Sequence, residues 1–388
     1  MTEGPSFAVV GAGMGGLAAA AALLQGGFDV TVYEQASQFT RIGAGIQMMP
    51  NSMKVLRRMG IEELVRERAF APYSHLNRAG STGELKRELP MPESMFGAPY
   101  LCMHRATLHE AMATVVPADR IRLGKKLAGL DDHGSGVRLS FADGSGASAD
   151  AVIGADGIHS LVREIIVGAD EPLHKGRIAY RAVFPARLLD RDLGNSRTKW
   201  WGEDRHIVIY YTTRDKNEVY FVTSLPEPAG WVTRESWSAK GDVRELRAAY
   251  DGFHADVRAT LQACPDCHKW AILEREPLPT WSDGRVVLLG DACHPMTPYM
   301  AQGAATSIED AAVLARCLAE AGGDDIEGAF RRYEAHRKPR TSLIQAISSA
   351  NVWMNGGDHD VGWLYGYDAW NVPLDVPPAQ PESVASAA

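Results

Sequence analysis

Cysteine is scarce in this chain, with five among 388 residues. Cys102, Cys264, Cys267, Cys293 and Cys317 are too few and too scattered for a disulfide framework, so a reducing compartment, the cytoplasm, is expected. Positive charge is also in deficit: 40 Lys and Arg against 48 Asp and Glu give a net charge of -8, with no basic run. Nucleic acid is thereby disfavoured as a partner, because phosphate binding needs a basic surface. Long apolar runs are missing except for Phe7 to Leu24. The residues ahead of it, Met1 to Ser6, carry Glu3 and no Lys or Arg, and glycines interrupt it, so neither a signal peptide nor a membrane span is expected. No internal repeat is visible. What is present is an ordinary globular composition, 45% apolar and 23% charged, in a chain long enough for one large or two joined domains.

Phe7-Ala8-Val9-Val10 has the pattern of a short buried strand. Glycines follow, then a helical stretch from Gly16 to Gln25, then a second strand, Asp29-Val30-Thr31-Val32-Tyr33. Strand, glycine turn, helix and strand make a βαβ unit, which requires a parallel sheet covered on both faces. Ala151-Val152-Ile153 and Val286-Val287-Leu288-Leu289 have the same compact character, and each runs into a glycine-acid turn. Between them, Ile207 to Tyr211 and Val219 to Thr223 are rich in β-branched and aromatic residues and read as an antiparallel hairpin. Helical patterns occupy Ser307 to Glu320 and Ile326 to about Asn351. The expected fold is α/β: a Rossmann-like nucleotide-binding domain built from segments 1–72, 101–170 and 273–355. A mainly antiparallel substrate-binding sheet would come from 73–100 and 171–272, with C-terminal helices and a tail over 356–388 that is unstructured after Val372.

Gly11-Ala12-Gly13-Met14-Gly15-Gly16 fits G-x-G-x-x-G between a strand and a helix. Gly11 permits the tight turn, Gly13 lets a pyrophosphate approach the backbone, and Gly16 lets helix and strand pack closely. The helix N-terminus then presents free N–H groups and partial positive charge to the phosphates. Glu34 ends the second strand, where a carboxylate can accept hydrogen bonds from an adenosine ribose. The motif does not choose between NAD and FAD. Two more strand-to-acid turns do, Gly154-Ala155-Asp156-Gly157 and Gly290-Asp291-Ala292-Cys293-His294-Pro295, because a simple NAD dehydrogenase has no use for them.

This set of turns resembles the flavoprotein aromatic hydroxylases, the single-component class A FAD-dependent monooxygenases. The matches run in family order from Gly11 to Asp310. The resemblance implies FAD as cofactor and NADH or NADPH as co-substrate. It also implies that O2 is activated as a flavin C4a-hydroperoxide, which transfers one oxygen to an electron-rich ring. It places Asp156 and Gly157 near both nucleotides and Asp291 on the ribityl chain. Glu34, Gln35, Arg41, Gly45 and Arg105 join the cofactor set, and Pro298, Gly303 and Ala304 lie beside the isoalloxazine. A narrower similarity is carried by Lys199-Trp200-Trp201, Glu203-Asp204-Arg205-His206, Tyr210-Tyr211-Thr212-Thr213, Gly290 to Met296, Ala301-Gln302-Gly303-Ala304 and Tyr365-Gly366-Tyr367-Asp368. These match the branch of the family that acts on hydroxypyridine carboxylates of the 6-hydroxynicotinate type. In that branch the positions of His206, Tyr210 and Tyr220 line the substrate pocket. It carries histidines where this chain has Gln47 and Tyr299, and a cysteine where this chain has Arg197-Thr198. Gln47 and Tyr299 complete the expected catalytic set, although neither titrates near neutrality as histidine does. The exact substrate, and whether a ring carboxylate is lost during hydroxylation, therefore stay open.

Strand parity supports such a pocket independently. His206, Val208 and Tyr210 share one face, and a hairpin turning about Asp215 sets Tyr210 opposite Tyr220. His206 is then a candidate general base or relay, through Tyr210, for a substrate hydroxyl. Plainer readings stand beside these: His206 as an exposed strand-end histidine, Tyr210 and Tyr220 as core, Trp200 and Trp201 as core or interface, and His294 as a partner for the backbone. Glu203 and Asp204 are adjacent, so on a strand they would point to opposite faces, not act as a paired device. Cys264-Pro265-Asp266-Cys267-His268 spells a haem-attachment motif without its setting, and no second ligand pair accompanies it, so no metal is expected. The charged run Arg331 to Lys338 reads as a solvated helix face. Three functions compete: a monooxygenase acting with O2 on a hydroxypyridine carboxylate or a salicylate-like phenolic acid, a NAD-dependent dehydrogenase, and a flavin-binding protein without turnover. The sequence leaves NADH against NADPH, and monomer against homodimer, undecided.

Overall fold

A computed structural model describes residues 4–40, 44–228, 239–351 and 360–375. Arg41 of the expected cofactor set lies outside the described residues, as does the chain beyond residue 375. A six-stranded sheet runs in the order Ser282–Asp283, Val286–Leu288, Ala151–Gly154, Ser6–Val10, Asp29–Tyr33, Ile121–Arg122. All its pairs are parallel except that of Ser282–Asp283 with Val286–Leu288. Parallel strands need crossovers that cover both faces, so their residues are apolar throughout; Val9, Val32, Val152, Ile153 and Val287 are fully buried. The helix Met14–Gln25 is buried along almost its whole length, as its run of Ala and Leu demands. It packs against the helix Gly303–Glu320, and a Cβ on Gly15 would lie 2.7 Å from the Leu289 side chain.

The second sheet has eight strands, ordered Lys240–Gly241, Cys267–Glu274, Leu173–Pro185, Glu218–Pro226, His206–Tyr211, Arg197–Trp201, Ser74–Ala79, Leu85–Pro90. Its pairs are antiparallel except for Arg197–Trp201 beside Ser74–Ala79, which run parallel. The hairpin has the expected register, with Tyr210 opposite Tyr220. A two-stranded ribbon, Gly45–Met48 with Leu101–His104, lies between the sheets, and a three-stranded sheet spans residues 127–149. The fold is the mixed α/β architecture expected. Among the described residues no helix is long and apolar enough to cross a membrane.

Two expectations are corrected. The segment 360–375 is packed where a tail was expected, with the short helix Gly362–Tyr365 and buried Leu364, Tyr365 and Ala369. The run Arg331 to Lys338 is not simply a solvated face, because the helix Ile326–Ala350 turns His336 and Arg337 into the interior. Arg337 is fully buried, and it is tolerated there because it is paired: its Nε donates to Asp310 and its Nη2 to Glu309, each at 2.7 Å. Arg340 donates twice more to Glu309, and Asn51 donates to Glu309 at 2.7 Å. Burial pushes the Asp310 carboxyl up, but His294 and Arg337 outweigh it and hold the group below its ordinary range. Removing Arg337 would take from both buried carboxylates a cation they share, leaving Glu309 to Arg340 and Asn51 and Asp310 to His294. Arg337→Met is expected to lose about 3–5 kcal/mol of stability, read as an earlier urea midpoint; an unchanged midpoint would show that the network carries no stability.

Candidate active site

The glycine turn is set by contacts that exclude side chains. Gly11 has φ +101°, and a Cβ there would fall 2.4 Å from the Ala155 carbonyl oxygen; one on Gly16 would fall 1.9 Å from the Gly11 oxygen. The turn thus lies directly against the Ala155-Asp156 turn and the start of its own helix. Above Gly13 the space is open, with nothing within 4 Å of a Cβ. Gly13 is the N-cap, no side chain caps the helix, and its first turn has no acid, so its N–H groups face that space. Glu34 braces the turn: its oxygens accept from the Ala12 N–H at 2.7 Å and the Ala36 N–H at 2.8 Å. Each oxygen keeps a lone pair for a ribose hydroxyl. Gln35 beside it is exposed.

Asp156 is engaged with its own chain. It accepts from Ser160 Oγ, from the Leu161 N–H at 2.8 Å and from the Val162 N–H at 3.2 Å, fixing the turn at Gly157, where φ is +81°. Asp291 and Arg105 are open to solvent by surface area. Yet burial raises the Asp291 carboxyl and lowers the Arg105 guanidinium, each opposed by the charge of the other. A group that is both accessible and closely surrounded by protein stands in a deep cleft. A Cβ on Gly303 would lie 3.7 Å from Asp291 Oδ1, so the carboxylate stands by the first turn of helix Gly303–Glu320. That helix also lacks a side-chain cap and a first-turn acid. Pro298 lies exposed on the preceding loop, with Gly303 and Ala304 half-buried. Ala301 is held at φ +53°, a conformation costly for a residue with a Cβ.

The substrate-side residues fall into two groups on one face of the eight-stranded sheet. In the first, the Gln47 oxygen accepts from Tyr100 at 2.6 Å, and its side chain also meets the Tyr210 phenol. The Tyr210 and Tyr220 rings pack with centroids 5.1 Å apart. Gly45 fits against both, since a Cβ would sit 2.6 Å from the Tyr220 ring and 2.8 Å from the Tyr210 hydroxyl. Burial pushes the Tyr220 phenol up to about 12, with Arg181 opposing.

The second group holds His206, edge-on to Tyr299 with centroids 5.4 Å apart and beside Trp201 at 5.2 Å. Tyr299 shares a 3.0 Å hydrogen bond with Ser224. Burial, then Lys199, Arg177 and Arg197, push the His206 imidazole well below its ordinary value. His206 is buried, not an exposed strand end. No hydrogen bond joins it to Tyr210 among the described residues, so the direct relay expected between them is not formed. Arg181, Arg197, Lys199 and His75 lie on this same face; the sequence marked Arg197 and Lys199 only through the family resemblance, and Arg181 and His75 not at all. Strand parity held the only signal that they share a face, and it needed the long-range pairing of Ser74–Ala79 with Arg197–Trp201.

Cys293, His294 and Asp310 bring ligand-type atoms within 4.8 Å of one another. Asp310 already holds Arg337 and His294, and burial keeps the Cys293 thiol well above its ordinary value, hence protonated. The cluster is better described as an ion-pair network than as a metal centre.

The family described as FAD binding domain matches residues 6–347. The chain belongs to that family. It is 45% identical to 6-hydroxynicotinate 3-monooxygenase of Pseudomonas fluorescens over 97% of this chain and 98% of that protein. It is 35% identical to a 3-amino-4-hydroxybenzoate 2-monooxygenase of Streptomyces platensis, over 95% and 97%. Klebsiella pneumoniae HpxO, solved with FAD and uric acid, superposes with a TM-score of 0.79 at 28% identity, covering 89% of this chain and 87% of that one. The chain is accordingly a FAD-dependent monooxygenase of the aromatic hydroxylase class, not a NAD-dependent dehydrogenase.

The cradle fits the FAD of this family. Open space over Gly13, two uncapped helix N-termini, the Arg105 cation and the Glu34 and Asp291 carboxylates match a pyrophosphate flanked by hydroxylated sugar and ribityl arms. The glycines separate folding from binding. Gly16→Ala is expected to destabilise the cofactor-free protein by about 1–3 kcal/mol or more through its backbone clash. Gly13→Ala should leave that melting temperature unchanged and weaken FAD binding at least about tenfold. Equal effects of the two on melting would contradict this assignment.

Proposed function

We propose that this chain hydroxylates a small hydroxylated N-heteroaromatic acid, a hydroxypyridine carboxylate, consuming O2 and NADH or NADPH. One observation carries the reading: Tyr299, on the loop leading into helix Gly303–Glu320, meets His206 and Ser224 of the sheet. A wall of phenol and imidazole groups therefore adjoins the cofactor cradle. The 45% identity to a 6-hydroxynicotinate monooxygenase supports the pyridine substrate. A phenolic acid is the second reading, supported by the hydroxybenzoate-acting Streptomyces relative.

FAD, when bound, supplies hydride acceptance and oxygen activation, which no side chain can provide. Glu34, Arg105 and Asp291, with the backbone of Gly11, Gly13, Gly157, Gly303 and Ala304, would hold it, Gly16 and Asp156 would fix the turns beside it, and Pro298 would border its ring. His206 is the group proposed to accept a hydrogen bond from the substrate hydroxyl. Its depressed basicity keeps it neutral, and so an acceptor, at neutral pH. The cations that depress it also favour the anionic form of a hydroxyl bound beside it, which pushes electron density into the ring. Tyr210, Tyr220 and Gln47 would position the ring, with Gly45 leaving room for the two phenols. Closing the aromatic wall over the ring excludes water, which would otherwise divert oxygen to peroxide. The five buried, free cysteines suit a reducing cytoplasm.

His206→Ala is expected to lower substrate-dependent turnover by about 100-fold while FAD content stays at the wild-type level; unchanged turnover would remove His206 from the mechanism. Protonation of His206 abolishes its acceptor role, so activity should fall as pH drops through its depressed value. In pH profiles of kcat/KM the acidic limb assigned to His206 should lie below the ordinary histidine value of about 6.5 and be absent in the variant. A limb that persists unaltered would belong to another group.

A further inference from the structure

Arg197 and Lys199 point from one strand to the same face, next to His75 and Asn77 of the neighbouring strand. All are at least nine-tenths buried, with relative exposures of 7% for Arg197, 2% for Lys199 and His75, and 1% for Asn77. With Tyr299 and Ala301 of the cofactor-side loop they line a cavity of about 10 Å³, and no carboxylate is among its lining residues. That volume admits one water-sized atom, so one oxygen of an acidic group enters it while the rest of the group and its ring stay outside.

Two unpartnered polar atoms here are donors, and a third is an imidazole nitrogen whose role is set by its tautomer. Arg197 Nε and Asn77 Nδ2 are buried donors with no hydrogen-bond partner in the described structure, and His75 Nε2 is likewise unpartnered. The other end of Asn77 is fixed, its oxygen accepting from Trp201 Nε1 at 2.9 Å. Lys199 Nζ stands 3.6 Å from the centroid of the Trp201 ring, and burial, then the charge of Arg197, pushes its ammonium well below its ordinary value. The Arg197 guanidinium donates only, so what completes this site is an acceptor carrying negative charge, which would also restore the charge of Lys199. Buried cations left unpaired are costly, and a bound anion relieves that cost.

We infer that Arg197, Lys199 and Asn77 form the subsite that binds the ring carboxylate of the substrate. The inference rests on the proposed function and makes it more specific. Tyr299 lines this cavity and also contacts His206, so a carboxylate held here extends from a ring lying against the His206–Tyr299 wall.

The test uses calorimetric titration of the FAD-loaded enzyme with 6-hydroxynicotinate and with its amide, 6-hydroxynicotinamide, in chloride-free buffer and again in chloride. The wild type should bind the acid at least about tenfold tighter than the amide. Arg197→Gln should weaken acid binding by about ten- to a hundredfold, the scale of a lost charge-assisted hydrogen bond, and leave amide binding nearly unchanged. Arg197→Lys should recover part of the loss, which a merely structural role would not produce. If Arg197→Gln fails to fold, Lys199→Met is expected to give the same selective loss. Equal affinity of the wild type for acid and amide, or an acid preference that survives both substitutions, would overturn the subsite and leave the proposed function standing. Chloride competition without acid preference would likewise mark a simple anion site. Failure to bind any hydroxypyridine or hydroxybenzoate acid, with no stimulation of NADH or NADPH consumption, would remove the proposed function and this inference together.

Discussion

The approach of Gly16 to the Gly11 carbonyl, closer than any side chain allows, sets the geometry on which the rest of the molecule depends. It seats the helix Met14–Gln25 directly on the end of strand Ser6–Val10, so the uncapped first turn opens onto the space above Gly13. The same turn touches the Ala155-Asp156 turn, and Gly15 touches Leu289 and Ser307. Three stretches remote in sequence are therefore held in register by contacts between backbone and small residues. The Glu309–Asp310–Arg337–Arg340 network then ties helix Gly303–Glu320 to helix Ile326–Ala350 from behind. His294 joins that network through Asp310, which links the turn at Asp291 to the core.

The Rossmann-like part of the fold was legible because its signals are local. Strand, glycine turn, helix and acid follow one another within 29 residues from Ser6 to Glu34, and each buried strand announces itself by a compact apolar run. The hairpin register was legible for the same reason, since a tight turn near Asp215 leaves one pairing for Tyr210. The charged residues behaved otherwise. Arg337 looks like any helical surface arginine until its acidic partners, 27 and 28 residues earlier in the chain, are brought beside it. Arg197 and Lys199 were visible only through the family resemblance, because their neighbours His75 and Asn77 come from a strand more than a hundred residues away. The sequence could name residue types for the site; only tertiary pairing could show which of them share a face.

That face explains much of the chemistry. A sheet surface carrying imidazole, phenol, guanidinium and amine groups, with no carboxylate lining the cavity, suits the acidic, hydroxylated ring proposed as substrate. Burial, and after it the cations of this face, depresses His206, and those cations would also stabilise an ionised substrate. The phenols on the other flank act by shape and hydrogen bonding, since burial keeps Tyr210 and Tyr220 protonated.

All of this presumes that the cleft between Gly13, Arg105 and Asp291 takes up a flavin dinucleotide. Titration of the purified, unmodified chain with FAD, followed by flavin fluorescence and absorbance, tests that most directly. The account predicts saturable uptake of one FAD per chain and a protein-bound flavin spectrum. A polypeptide that stays colourless and binds no FAD would contradict it.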